Sequence, residues 1–380
     1  LTPHIIICKE FLRSRLCAGK GWEFILSKID ELRKRIDEID EKLLELLNKR
    51  ADFAILIGKE KSKTKSNFHV PDREREILNR LTRINKGPFQ NDSLKSVYRE
   101  ILSATLSLER PLTIAYLGPQ ATFTHLAAMN QFGSSAVYIP SDSLDTIFSE
   151  VETGRADYGV VPIENSMEGV VTHTLDLFVD SSVNICGEIL LEIHHFLMSK
   201  GRSINSLKKI YSHPQPFAQC RLWLERNFPE IPHYEVSSTA RAAEMAAKEK
   251  GAAAIASEAA AGLYRLNILA RKIEDNKNNY TRFLIIGKTK RKKSGSDKTS
   301  ILVSIKDKVG ALYHILEPFA KEKINLTKIE SRPLRKRAWE YVFYMDFEGH
   351  IEDKNVIKTI ERLKKEVLFL KILGSYPKWK

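Results

Sequence analysis

The ten residues Asn278–Gly287, NNYTRFLIIG, fall into two halves of opposite character. The second half is an apolar run ending in glycine and reads as a buried strand. The first half brings amides, a phenol, a hydroxyl and a guanidinium to the mouth of that strand. Alone, such a head is most simply a solvated turn. Similar clusters elsewhere change the reading. Tyr158–Val161 reads as a strand and leads into Pro162-Ile163-Glu164-Asn165-Ser166. Lys208–Tyr211 leads into Ser212-His213-Pro214-Gln215, and Ala252–Ala256 leads into an alanine-rich helix. Open α/β sheets hold ligands at the carboxyl ends of their strands. With few charged groups among the clusters, the implied chemistry is hydrogen bonding by hydroxyls, amides and backbone N–H groups.

A second chemistry is cationic. Ile29, Leu32, Ile36, Ile39, Leu43 and Leu46 recur at alternating steps of three and four, and Phe53 and Ile57 continue the seam of one long amphipathic helix. At position 50 the seam asks for an apolar residue and has Arg50. A charge there is costly unless paired. Either it snorkels to the surface, or it holds an anionic ligand between helices. Pro71 opens a second helix through Ile77, Leu78 and Leu81. A third follows Asp92, a candidate N-cap, and runs to Glu109 before Pro111.

Around these residues the chain organises into parts. Residues 26–110 read as helical, and residues 111–287 alternate strands and helices as α/β domains do. Residues 288–298, KTKRKKSGSDK, form a basic linker. Residues 299–380 run strand, helix, strand, strand, helix, strand, the order of a ferredoxin-like α+β fold. Residues 1–25 show no clean period and are expected to be an upstream extension, with Leu26 as a candidate non-ATG start. The formal charge of +13 is scattered, and neither zinc-finger spacing nor an aromatic RNA signature accompanies it, so nucleic acid is not the expected partner. No apolar run approaches the ~20 residues of a membrane span. Cys8, Cys17, Cys186 and Cys220 lack metal-ligand spacing and suit a reducing cytoplasm. Neither a metal nor an organic cofactor is expected.

From residue 26 onward the sequence resembles the bifunctional chorismate mutase/prephenate dehydratases of phenylalanine biosynthesis. GPQATFTHLAA (118–128), VVPIENSMEGVV (160–171), SHPQPFAQC (212–220) and NYTRF (279–283) are similar to the dehydratase signatures, in order. GALYHIL (310–316) and ESRP (330–333) resemble the phenylalanine-site motifs of an attached ACT domain. LRKRIDEIDEKLLELLNKR (32–50) and PDRERE (71–76) resemble the helical mutase. The implied fold is an all-α mutase domain, a two-lobed α/β dehydratase domain and a ferredoxin-like ACT domain. Ala121 departs from the pattern, standing where glycine is usual. If that position needs positive φ, alanine strains it.

The resemblance implies that Arg33 and Arg50 bind carboxylates of chorismate, that Lys61 and Glu109 contact its ether oxygen, and that Glu74 positions its ring hydroxyl. Arg73 and Thr105 complete that pocket. An ionised carboxylate cannot donate to an ether oxygen, so Glu109 would act in its protonated form. Arg33 and Arg50 lie seventeen residues apart, about 26 Å along a helix. If both grip one molecule, Arg33 comes from a second protomer, and a homodimer or higher homo-oligomer is expected.

For the dehydratase the resemblance makes Thr281 the residue that helps hydroxide leave prephenate. Asn165, Ser212 and Gln219 are the matching polar residues, with Thr124 and Glu164 beside them. Arg282 is read either as a partner of a prephenate carboxylate or as a structural ion pair. His194, His195 and His213 are read as structural. Gly310, Ala311, Leu312, Glu330, Ser331, Arg332 and Pro333 would form a site for L-phenylalanine as inhibitor. Three alternatives stay open: a dehydratase with an inactive mutase domain, an arogenate dehydratase, and a non-catalytic amino-acid-binding regulator.

Overall fold

The computed structural model describes residues 19–64, 69–305, 308–333 and 341–379, with side chains from residue 26 onward except that of residue 64. Of the suggested extension 1–25, residues 1–18 therefore lie outside the described residues. The chain divides into two units, 1–66 and 67–380.

The first unit contains one helix, Gly19–Thr64, of 46 residues, about 69 Å long at ~1.5 Å per residue. The expected seam is present. Its members from Ile29 to Leu46 are all exposed, between 40% and 62%. An apolar stripe of this length left open to water marks an interaction surface.

In the second unit Pro71 occupies the first position of the helix Pro71–Ile84, where its missing N–H costs nothing. The next helix is Asn91–Glu109, and its N-cap is Gln90. Asp92 is therefore not the cap. It lies inside the first turn, where a carboxylate favours the helix dipole, and it pairs with Lys95 at 3.1 Å.

Two sheets follow. The first contains β1 (Thr113–Leu117), β2 (Val137–Ser141), β3 (Tyr158–Asn165), the short β4 (Gly169–Val170) and β5 (Asn184–Glu192). The chain then leaves to build a second sheet from β6 (Phe196–Ser199), β7 (Lys209–Ser212), β8 (His233–Glu235), β9 (Ala252–Ala256) and β10 (Asn267–Arg271). It returns to the first sheet as β11 (Tyr280–Gly287), inserted antiparallel between β3 and β5. The strand orders are β2-β1-β3-β11-β5 and β10-β6-β9-β7-β8. Two crossover segments, β5 to β6 and β10 to β11, thus join the lobes. The all-alanine face of β9 lets the helix Thr239–Lys248 pack closely, with Ala242, Ala243 and Ala246 fully buried.

The last part contains β12 (Asp297–Ile305), β13 (Leu326–Pro333), β14 (Tyr341–Glu348) and β15 (Val367–Pro377), in the order β13-β14-β12-β15. All pairings are antiparallel, and the helices Ala311–Lys321 and Lys354–Glu366 share a core with one side of the sheet. This is the ferredoxin-like arrangement. Leu302, Val342, Tyr344, Leu373 and Tyr376 belong instead to the core of the first sheet, with Ile163, Ile185 and Leu284. That contact requires Gly374, since a Cβ there would lie 2.2 Å from the carbonyl oxygen of Ile185. Overpacking against backbone cannot relax by a rotamer change. Gly374→Ala is expected to destabilise the chain by roughly 2 kcal/mol or more, read as a lower Tm; an unchanged Tm would contradict the packing.

Candidate active site

The two crossovers run side by side. The Ile193 N–H donates to the carbonyl of Asn279 at 2.8 Å, and the Ile273 N–H donates to that of His195 at 3.0 Å. The polar head of β11 therefore has a structural cause: Asn278–Thr281 is the return path between lobes, and only from Phe283 does the strand enter the core.

Thr281 lies directly opposite Asn165 across β11 and β3. Asn165 is buried, and its carboxamide oxygen accepts from the backbone N–H groups of Met167 at 2.9 Å and Glu168 at 3.1 Å. The side-chain nitrogen must then be the donor on the other side. It donates to Thr281 Oγ1 at 2.8 Å and to Asn279 Oδ1 at 2.9 Å. A hydroxyl that accepts this bond keeps its own proton for another acceptor.

The network continues into the second lobe. Asn279 is buried, and its Nδ2 donates to Gln219 Oε1 at 3.0 Å. Gln219 ends the helix Pro214–Gln219, and its Nε2 lies 3.4 Å from Glu168 Oε1. His195 Nε2 lies 2.8 Å from the same Gln219 Oε1. An amide oxygen only accepts, so His195 carries its proton on Nε2. Burial, the largest influence, pushes the imidazole below its ordinary value, against the opposing effects of Gln219 and Glu274. Thr281, Asn165, Asn279, Gln219 and His195 thus form one continuous chain of hydrogen bonds across the lobes.

Residues 114–291 match the prephenate dehydratase family, residues 32–110 match chorismate mutase type II, and residues 299–365 match the ACT domain. A bifunctional chorismate mutase/prephenate dehydratase from Aquifex aeolicus (strain VF5) is 54% identical over 357 residues, covering 93% of this chain and 99% of that protein. The chain belongs to the bifunctional chorismate mutase/prephenate dehydratases. The structure of prephenate dehydratase from Arthrobacter aurescens in complex with L-Phe superposes with a TM-score of 0.65 at 36% identity, covering 70% of this chain and 90% of that one. A structure described as a quorum-quenching acylase, GqqA, also reaches 0.65, at 29% identity, covering 70% and 98%. The shared fold alone therefore does not choose a reaction; the side chains must.

Within this family member the expected dehydratase residues take different positions. Asn165, Gln219 and Thr281 are joined as described. Ser212 is fully buried, and its hydroxyl donates to the carbonyl of Ile255 at 2.9 Å, bracing β7 against the end of β9. Thr124 is buried in the first turn of the helix Phe123–Phe132, which Thr122 caps by accepting from the His125 N–H at 3.3 Å. Ala121 does have positive φ, 67°. Its αL cost of about 1–2 kcal/mol is offset by lower unfolded-state entropy, ~0.4–1 kcal/mol, and by burial of its methyl group, ~0.8 kcal/mol; this explains why alanine is tolerated.

Arg282 does not serve the cleft. Its neighbour Thr281 takes one face of the strand, so Arg282 takes the other. There it contacts Glu188 at 2.8 Å, Asp346 at 2.7 Å and the Tyr376 hydroxyl at 3.1 Å. Of the two readings of Arg282, these contacts favour the ion pair. Glu164 shares that face and pairs with Lys328 of the ACT domain at 2.7 Å. Asn279 was not singled out from sequence, and His195 was read there only as structural. Asn279 carried a signal, as part of the polar head; His195 offered only an unexplained polar residue before an apolar strand.

The mutase residues fall in both units. Arg33, on the long helix, pairs with Asp30 at 3.1 Å, and Arg50 and Lys61 lie further along it. Arg73 pairs with Glu76 at 3.0 Å. Glu74 meets His69 at 3.3 Å, in a cavity of about 530 Å³ that Arg75, Arg99 and Arg291 also line. Thr105 is buried, its hydroxyl directed to the carbonyl of Ile101, and Glu109 ends its helix. In the ACT domain Gly310 has φ 79° and caps the helix that Ala311 and Leu312 begin. Glu330, Ser331, Arg332 and Pro333 end β13, and Arg332 pairs with Asp176 at 3.2 Å.

Burial lowers the proton affinity of four histidines, His125, His195, His213 and His233. Below about pH 6.5 the unfolded chain then binds more protons than the folded one, so stability falls with pH. The urea midpoint at pH 5.5 is expected below that at pH 7.5; an equal or higher midpoint would contradict this.

Proposed function

We propose that the chain rearranges chorismate to prephenate at its helical part, residues 26–110, and converts prephenate to phenylpyruvate at the Thr281 network, within residues 111–287. The observation that carries the second step is the polarity of the Asn165–Thr281 bond. Prephenate loses its ring carboxylate as CO2, and the electron pair of the breaking C–C bond moves into the ring and expels hydroxide. The Thr281 hydroxyl, accepting from Asn165, presents its own proton to the departing oxygen. Asn279 and Gln219 hold Asn165 in place. A positioned donor of this kind is worth roughly 10²–10⁴ in rate. Neutral His195 anchors the network's far end and adds no charge beside a dianion. Ser212 and Thr124 shape the two strand ends, and Glu164 acts from behind the sheet.

The mutase needs only cations and donors around a compact dianion. Arg33, Arg50, Lys61, Arg73, Glu74, Thr105 and Glu109 supply them. The distance between Arg33 and Arg50 and the open stripe of the long helix favour a site shared by two protomers of a cytoplasmic homodimer. L-Phenylalanine is read as the inhibitor, bound by Gly310–Leu312 and Glu330–Pro333 of the ACT domain, residues 299–380, beyond the linker 288–298.

Purified protein given chorismate alone is expected to form phenylpyruvate by way of prephenate, followed by NMR. Thr281→Ala is expected to stop at prephenate with chorismate consumed at the normal rate. Near-normal phenylpyruvate formation by Thr281→Ala would overturn the assignment, and unchanged chorismate in the wild type would overturn the first step.

A further inference from the structure

The back of the active-site strands carries a second pairing, in register with the first. Asn165 and Thr281 face each other across β3 and β11; so do their neighbours Glu164 and Arg282. Successive residues of a strand point to opposite faces. One pair therefore belongs to the cleft and the other to the surface that meets the ACT domain. In the ACT sheet Lys328 and Asp346 also stand opposite each other, across β13 and β14. The four charges join crosswise. Glu164 of the catalytic sheet meets Lys328 at 2.7 Å, and Arg282 meets Asp346 at 2.7 Å. Each charge thus has an opposite-sign partner on the other sheet.

These contacts are not surface ornaments. The Asp346 side chain is fully buried, and those of Lys328 and Arg282 are 10% and 12% exposed. Ser300 donates to Asp346 Oδ1 at 2.5 Å, while Lys298 of β12 meets Glu188 at 2.8 Å. Against burial, which favours its neutral form, Arg282 and Lys298 hold the Glu188 carboxyl below the usual carboxylate range. Separating Arg282 from Asp346, or Lys328 from the 39%-exposed Glu164, would strand a buried charge, so moving one sheet without the other is costly. Lys328 also shares its half-buried face of β13 with Glu330 and Arg332.

We propose that this crossed set of ion pairs couples the ACT domain to catalysis, with Glu164 and Arg282 as positioning residues that set the Asn165–Thr281 geometry from behind. Displacement of β13 and β14 pulls on Glu164 and Arg282, and the adjacent residues of the same strands must follow. The regulatory part rests on L-phenylalanine being the inhibitor; the positioning part does not.

The test alters the Glu164–Lys328 pair from each side and from both. Dehydratase kcat and KM are measured with and without L-phenylalanine for wild type, Lys328→Met, Glu164→Gln, the double variant and the swapped pair Glu164→Lys/Lys328→Glu. Lys328→Met is expected to lower kcat about tenfold with KM changed less than about twofold, and to weaken inhibition at least ~5-fold. The double variant is expected to be no worse than Glu164→Gln, and the swapped pair to regain kcat. Amide exchange at 163–166 and 279–283 is expected to quicken in Lys328→Met, a readout that needs no activity. Unaltered kcat and exchange in Lys328→Met, or losses that multiply in the double variant, would overturn the proposal. A wild type indifferent to L-phenylalanine would instead remove the inhibitor reading, leaving kcat and exchange to decide the positioning role.

Discussion

The orientation of one carboxamide governs the proposed dehydratase site. Two backbone N–H groups, from Met167 and Glu168, claim the oxygen of Asn165. Its nitrogen has no choice but to face Thr281 and Asn279. Reversing the amide would oppose donor to donor on one side and acceptor to acceptor on the other, each costing about 1–3 kcal/mol when buried. A weak acid such as a threonine hydroxyl is made directional in this way without an ionised neighbour. The turn after β3 does the orienting, so the geometry of the Asn165–Thr281 bond is written into the backbone at 165–168.

That arrangement depends in turn on topology. β11 reaches the first sheet only after the chain has built the second lobe, so Thr281 arrives on a segment that touches both. The network to Gln219 and His195 fixes how the lobes meet; Asn165, Asn279 and His195 are buried, Thr281 and Gln219 half-buried, and His195 Nδ1 has no hydrogen-bond partner among the described residues. Buried polar chains of this kind specify one geometry because a partial match is worse than none. The opposite face of the same strands is charged rather than amidic. One pair of strands thus carries chemistry on one side and the regulatory domain on the other.

Much of this was legible in the sequence. The helical seam, the proline that opens the second helix and the βαββαβ order of the C-terminal part follow from local periodicity and turn chemistry, and they appear as read; the cluster after Val161 does not, since β3 continues through Asn165. Thr281 and Asn165 were visible as polar residues in places where a strand should be apolar. Arg282 was ambiguous because alternation along a strand tells which residues share a face but not what covers it; only the packing of the ACT sheet decides. Ser212, named by resemblance, donates its hydroxyl proton to the carbonyl of Ile255, a partner the sequence did not show. Asp92 looked like a cap because its type is right, but Gln90 holds the cap position. His195 was read as structural, but its partner was not legible, since that is Gln219, which is distant in sequence and near only through the fold.

Asn165→Asp tests the central claim most directly. The substitution keeps the size of the side chain and an acceptor for Met167 and Glu168, but it replaces the donor facing Thr281 with an acceptor that draws the hydroxyl proton inward. Dehydratase kcat is predicted to fall by about 10²-fold or more, the scale of losing one preorganised donor, with chorismate consumption little changed and Tm lowered by the acceptor now set against Asn279 Oδ1. A kcat within about threefold of wild type would contradict the account.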